Sequence, residues 1–208
     1  MNELHHIMAV IALTMGVAWA SGINLYAAIL TLGLLGATGN IALPPDLHVL
    51  THPAVIAAAG FMYLVEFVTD KIPGVDSGWD ALHTFIRIPA GALLAAGAVG
   101  QTNQAIVLAA AILGGGLAAG MHAAKAGTRI LINTSPEPFS NWTVSVLEDV
   151  LVIWGIWTAL HHPVLFLFLL AGCILLVIWL LPKLWRGIRN LFGYLGRLFG
   201  RTRPGPTA

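Results

Sequence analysis

Residues 164–181 read VLFLFLLAGCILLVIWLL, and PKLWRGIR follows at 182–189. The first stretch holds no charge and, at ~1.5 Å per helical residue, covers ~27 Å, close to the hydrocarbon thickness of a bilayer. Lys183, Arg186 and Arg189 follow it at once. Basic residues beside a span are retained in the cytoplasm. Toward the N-terminus lie five more apolar stretches, at about 7–37, 53–70, 78–99, 105–132 and 142–160. Their connections alternate. Lys71 and Arg87, then Lys125 and Arg129, then Lys183, Arg186, Arg189, Arg197, Arg201 and Arg203 fall on one side, and the other side carries no Lys or Arg. This sorting predicts an all-α polytopic membrane protein of about six spans with both termini in the cytoplasm.

Composition agrees: 58% of the residues are hydrophobic and 9% charged, with a mean hydropathy of +0.85, where soluble domains carry about 25% charged residues. Cys173 is the single cysteine, so disulfides and cysteine metal sites within one chain are excluded. The run ending Ala18-Trp19-Ala20 resembles a signal-peptidase site, but residues 1–6 lack Lys and Arg and the apolar pattern continues, so it is read as part of span 1. The basic tail is explained by the membrane, and no nucleic-acid partner is expected.

Span 1 is too long for one straight crossing, and Ser21-Gly22-Ile23-Asn24 interrupts it; small and polar residues there predict a broken helix. Pro53 opens span 2. Pro89 is expected to kink span 3, whose polar first half, 76–88, reads as transmembrane, interfacial or re-entrant. Span 4 is also overlong, and its Gly114-Gly115-Gly116…Gly120 stretch predicts a second break and a small-xxx-small contact at Gly116 and Gly120. Leu184, Ile188, Leu191, Leu195 and Leu198, with basic residues between them, predict an amphipathic helix at 182–208 lying on anionic lipid. The transmembrane domain is thus 1–181.

Trp19-Ala20-Ser21-Gly22-Ile23-Asn24 can be laid over Leu117-Ala118-Ala119-Gly120-Met121-His122, and spans 2 and 5 carry Glu66 with Asp70 and Glu148 with Asp149. Two halves of three spans, about 7–100 and 105–181, must be inverted relative to each other, a layout common in secondary transporters.

Glu66 and Asp70, four apart, share a helix face. Asp76, Asp80, His83 and Arg87 form one stripe, and His122, Lys125 and Arg129 another. Charge inside a membrane costs about 2.5–3.5 kcal/mol per residue on insertion scales, so such groups face an interior site and pair. The expected substrate or ion site is Glu66, Asp70, Asp80, His83, Arg87, Asn24, His122, Lys125, Glu148 and Asp149. Carboxylates with histidine suit a divalent metal or a proton relay. His48, His52, His161 and His162 in the other set of connections are weak metal candidates.

Ala20-Ser21-Gly22-Ile23-Asn24-Leu25-Tyr26 resembles the opening of the bacterial membrane family catalogued as domain of unknown function 4126. So do Glu66-Phe67-Val68-Thr69-Asp70-Lys71-Ile72-Pro73-Gly74-Val75-Asp76-Ser77 with Trp79-Asp80-Ala81-Leu82-His83-Thr84, and Ala119-Gly120 followed by Thr128-Arg129 and Asn141 to Glu148. The resemblance covers spans 1–5 and implies an inner-membrane protein without supplying an activity.

There is no P-loop, G-x-S-x-G, H-E-x-x-H or C-x-x-C, and neither an enzyme nor a cofactor is expected. The reading is a homo-oligomeric transporter or channel for a small ion or solute, cation- or proton-coupled. The alternatives are a carrier or flippase for an anionic lipid and a non-transporting scaffold.

Overall fold

The computed structural model describes residues 3–134 and 138–199. It contains helices α1 (Glu3–Ala37), α2 (Pro53–Thr69), α3 (Val75–Ala98), α4 (Gln104–Ile132), α5 (Pro138–His161) and α6 (Pro163–Phe199), with a short 3-10 helix at Pro45–Thr51. Among the described residues there is no strand. Five helices are long and apolar enough to cross a membrane, and a sixth candidate is the 3-10 helix with α2, bent by 67°. The protein is an α-helical membrane protein.

The expected break in span 1 is present and sharper than a kink. Asn24 leaves the helical conformation (φ −144°, ψ 98°), and the chain doubles back there. On the way in, Gly16 packs on Ala159 and Phe166, and Asn24 reaches Asp149 at 2.8 Å. On the way out, Leu30 meets Gly60, Gly33 abuts the Leu50 carbonyl, and Gly36 lies against Leu43 and Thr51. Residues 40–44 then share a cavity of about 590 Å³ with His6, Leu13, Gly100 and His161.

Both ends of α1 therefore lie at one end of the bundle, which we term the histidine end. The opposite, basic end holds Lys71 and Asn133. The start of α6 lies beside His5, and its later residues Leu184 and Gly187 pack on Gly127 and Leu131 of α4. The two described ends of the chain are thus at opposite ends of the bundle, where the sequence reading expects both termini on one side of a membrane. Hydropathy reports that a segment is buried but not that it turns round. In a Cys173→Ala background, His5→Cys and Asn40→Cys are expected to react with an impermeant maleimide from one face, and Asn190→Cys from the other. Labelling of His5→Cys and Asn190→Cys from the same face would contradict the hairpin.

The hairpin is the centre of the molecule: α1 packs against every other helix, and residues 16–22 are all buried. It meets α3 and α4 at small residues. Gly22 sits on the Ala118 backbone, Gly91 on Ala118 and Ser21, and Gly114 on Ala95, the close approach that missing side chains permit. The expected contact at Gly116 and Gly120 is not the one used, since neither has a neighbour within 4 Å of a built Cβ. Nor is span 4 broken: α4 is helical throughout, because its glycines accommodate neighbouring helices rather than interrupt hydrogen bonding.

The helices also continue through Pro89 and Pro182. The tail begins as an extension of α6 held on α4, not as a separate surface helix. The side chains of Leu195, Arg197, Leu198 and Phe199 and all of residues 200–208 fall outside the described part. α1 packs closely on α5, whereas α2 and α4 meet chiefly through long charged side chains.

Candidate functional site

Most charged residues that the sequence singles out come together at the basic end. The last turns of α2 present Glu66 and Asp70, the first three turns of α3 present Asp76, Asp80, His83 and Arg87, and α4 presents His122, Lys125 and Arg129. All of these are buried. Lys125 is at the centre. Its ammonium donates to Glu66 Oε1 (3.2 Å), Asp70 Oδ2 (2.9 Å) and the Ile23 carbonyl (3.0 Å), with Glu148 Oε2 at 3.5 Å and Asp80 Oδ1 at 4.0 Å.

Two arginines flank it. Arg87 donates to Glu66 Oε1 (2.5 Å) and Asp80 Oδ1 (3.1 Å). Arg129 donates to Glu148 Oε2 (2.6 Å), Asp70 Oδ2 (3.4 Å) and the carbonyls of Asp70 and Asn141. Removing an ion from water costs several kcal/mol even after relaxation, and only such mutual pairing offsets it. The pairing is incomplete. Glu66 Oε2, Asp70 Oδ1 and Asp80 Oδ2 are buried without a hydrogen-bond partner.

The α1 break is wired into this cluster. Asn24 Oδ1 accepts from the Ala27 amide (2.9 Å), so Asn24 is the N-cap of the outgoing segment. Its Nδ2 donates to Asp149, which puts a carboxylate beside the positive pole of that segment. Lys125 meanwhile takes the Ile23 carbonyl, freed where the incoming segment ends. The unwound backbone is thus satisfied on both sides by side chains of the candidate site.

The two buried histidines have different surroundings. His122 Nδ1 faces Arg87 Nη1 at 3.2 Å; a guanidinium only donates, so Nδ1 accepts. The Nε2 proton then faces the Asp80 carbonyl (3.1 Å) and Thr84 Oγ1 (2.7 Å). His83 turns away from the ion pairs. It stacks on Trp79 (centroids 4.2 Å apart), donates from Nδ1 to the Trp79 carbonyl (2.9 Å) and bonds Tyr26 Oη through Nε2 (3.0 Å).

The exposed histidines do not assemble. His48 bonds the Leu43 carbonyl, His52 caps α2 at the Ala54 amide and His161 stacks on Trp157. His162 lies at the head of α6, with Trp157 as its ring neighbour. Among the described residues, no three His, Cys, Asp or Glu side chains are placed to hold a metal ion, the acidic cluster included, because Arg and Lys nitrogens occupy its interior.

A cavity of about 170 Å³ opens between α4 and α5, which scarcely touch. Ile23, Met121, Ala124, Lys125, Thr128, Glu148 and Leu151 line it. Glu148, with its side chain 14% exposed, carries the cluster to this lateral opening.

Several site residues escaped the sequence reading. Asn133 donates to Asp76 Oδ1 (2.7 Å) and Ser77 Oγ (2.9 Å), and Asn141 donates to Asn133 (2.7 Å). Asp76 Oδ1 also accepts from the Gly74 and Ser77 amides, which ties the α2–α3 turn to the end of α4. In that turn, Lys71 lies 2.9 Å over the Phe67 ring, and its desolvation holds the ammonium below the usual lysine range. Arg129 and Asp76 were legible as stripe members, whereas Asn133 and Asn141 fall where the sequence reads as a connection between spans, so no helical spacing marks them.

No curated protein and no solved structure matches the chain. The family model of DUF4126, a domain of unknown function, matches residues 11–183, which span the α1 hairpin, the whole ion cluster and the start of the tail, and the chain belongs to that family.

Proposed function

We propose that the protein is a transporter that moves a small cation, or a solute coupled to one, through the cluster at the Asn24 break. The observation that carries this is the acid surplus. Glu66, Asp70, Asp76, Asp80 and Glu148 lie within 4.0 Å of Arg87, Lys125 or Arg129, five carboxylates to three cations, and Asp149 is held by Asn24 at the break, with Lys71 of the adjoining turn attracted to it and to Asp70. A buried excess of negative charge takes up a positive one. A helix interrupted at the site, with backbone groups turned toward side chains, is a feature of transporter binding sites. By the positive-inside bias the basic end faces the cytoplasm, which leaves the N-terminal end of α1, without Lys or Arg, outside; the membrane is then the bacterial inner membrane. Inverted repeats are not needed for this reading.

Saturable cation or proton flux is expected from purified protein in proteoliposomes, falling at least tenfold in Glu66→Gln. Flux in Glu66→Gln equal to that of the unaltered protein, with both folded, would remove the site from the transport path. The lateral cavity at Lys125, Thr128 and Glu148 favours a second reading, a carrier for a lipid-dissolved substrate. Assaying fluorescent anionic lipid in the same vesicles separates the two.

A further inference from the structure

A second cavity adjoins the lateral opening at Glu148. It measures about 260 Å³ and lies between α5 and α6, with Trp19, Gly155, Phe166, Leu170 and Cys173 in its walls. Ile23 and Leu151 line both this cavity and the one of about 170 Å³, so the two form one fissure along α5. Lys125, Thr128 and Glu148 stand at one end of it, and the other end is largely apolar. Trp19 brings a polar atom to that apolar end, an indole N–H buried without a partner. The rim toward the bilayer is Leu151, Trp154 and Leu169, each at least 41% exposed.

The order along the fissure matches that of a lipid. Ile23 lies ~30 Å along α1 from Glu3, the thickness of a hydrocarbon core. The charged end is therefore at the membrane border on the basic side, and Trp19 is one turn nearer the midplane. A lipid of that leaflet also has its polar head at the border and its chains toward the midplane. The charged end is selective in turn. Lys125 has its three hydrogens committed to Glu66, Asp70 and the Ile23 carbonyl. Glu148 holds Arg129 through Oε2, and its Oε1 receives no hydrogen bond from a described residue. Thr128 donates its hydroxyl proton to the Ala124 carbonyl and keeps its oxygen as an acceptor. The walls thus offer a guest acceptors, beside a cluster in which carboxylates outnumber cations. A phosphate brought here meets a carboxylate, whereas an ammonium finds the charged acceptor it pairs with best.

We propose that the fissure binds a lipid with a primary amine head, drawn from the leaflet on the basic side. Its ammonium sits at Glu148 Oε1 and Thr128 Oγ1, and a chain lies along Leu151, Gly155 and Leu170. The Trp19 N–H donates to an ester carbonyl of the same lipid, between head and chain. Binding supplies positive charge to a cluster rich in carboxylates. The site stands by itself; only the movement of the bound lipid rests on the carrier reading above.

The test is photo-crosslinking of the full-length protein in vesicles, with a diazirine in one lipid chain and the labelled residues located by mass spectrometry. Three probes share their chains and differ in the head: phosphatidylethanolamine, phosphatidylcholine, whose methyl groups replace the N–H donors, and anionic phosphatidylglycerol. The ethanolamine probe is expected to label residues 151–155 and 169–173 about tenfold more than either other probe, the worth of one hydrogen bond to a charged group. Leu151→Trp fills the fissure from a lipid-facing position and is expected to abolish that excess, while Val150→Trp, also lipid-facing, preserves it. Glu148→Gln is expected to level the three probes. Should that variant not fold, the three heads on the unaltered protein and the two tryptophan variants decide. Equal labelling by the three heads, or an excess that survives Leu151→Trp, overturns the proposal. A phosphatidylglycerol excess overturns it as well and assigns the fissure to an anionic lipid. An ethanolamine excess without transfer of the probe between leaflets upholds the site and sinks the carrier reading.

Discussion

Lys125→Met loses several kcal/mol of stability and most of the folded yield. The ammonium has three hydrogens, and they go to Glu66, Asp70 and the Ile23 carbonyl, with two further carboxylates within 4.0 Å. Methionine fills the space but leaves four carboxylates facing two arginines, and leaves a freed helix-end carbonyl buried without a donor. Breaking a buried ion pair from one side costs about 3–5 kcal/mol, and an orphaned buried carbonyl adds about 1–3 kcal/mol. Native proteins have only about 5–15 kcal/mol in hand. The thermal midpoint in detergent, followed by size-exclusion chromatography, is expected to fall by on the order of 10 °C. Asp70→Asn added to Lys125→Met removes one of the stranded charges and is expected to recover part of the loss. Equal midpoints for Lys125→Met and the unaltered protein would mean that the network does not hold the helices together.

That network was the most legible part of the chain. In a sequence only 9% charged, each ionisable residue within a span needs a partner, and spacing alone placed Glu66 with Asp70 and Asp76 with Asp80 and Arg87. Helix periodicity gives the face on which a residue lies but not its partner. Hence His83, a correct member of the stripe, belongs to a Trp79–Tyr26 pocket instead of the ion pairs.

The direction of α1 was illegible for a different reason. Ser21-Gly22-Ile23-Asn24 marks a break, but whether a chain bends a little or reverses depends on tertiary partners. Here they are Lys125 on one side of the break and Asp149 on the other, 100 and more residues away in sequence. Glycine was ambiguous in the same way. Gly22 and Gly114 are sites of close helix approach, while Gly116 and Gly120 face no neighbour, and nothing local separates the two kinds.

The glycines give the second large effect. Gly22→Val is expected to disable the protein, and Gly116→Val to be tolerated. A Cβ on Gly22 would lie 2.5 Å from the Ala118 carbonyl oxygen and 2.6 Å from Met121 Cβ. The first obstacle is backbone, which no rotamer change removes, so α1 and α4 have to separate. By propensity alone, replacing a helical glycine is favourable by a few tenths to 1 kcal/mol, and overpacking of this kind costs about 1–3 kcal/mol or more; steric conflict therefore wins. The displacement also reaches the site, because Ile23 and Asn24 follow directly. Lys125 holds Ile23 at 3.0 Å and Asp149 holds Asn24 at 2.8 Å, and a hydrogen bond lengthened by about 1 Å is no longer one. Gly116 is exposed and its built Cβ meets nothing, so the same side chain there adds apolar surface toward lipid without moving a helix. Thermal midpoint and flux read in parallel separate the outcomes. A Gly22→Val protein as stable and as active as Gly116→Val would show that the α1–α4 crossing does not set the geometry of the ion cluster.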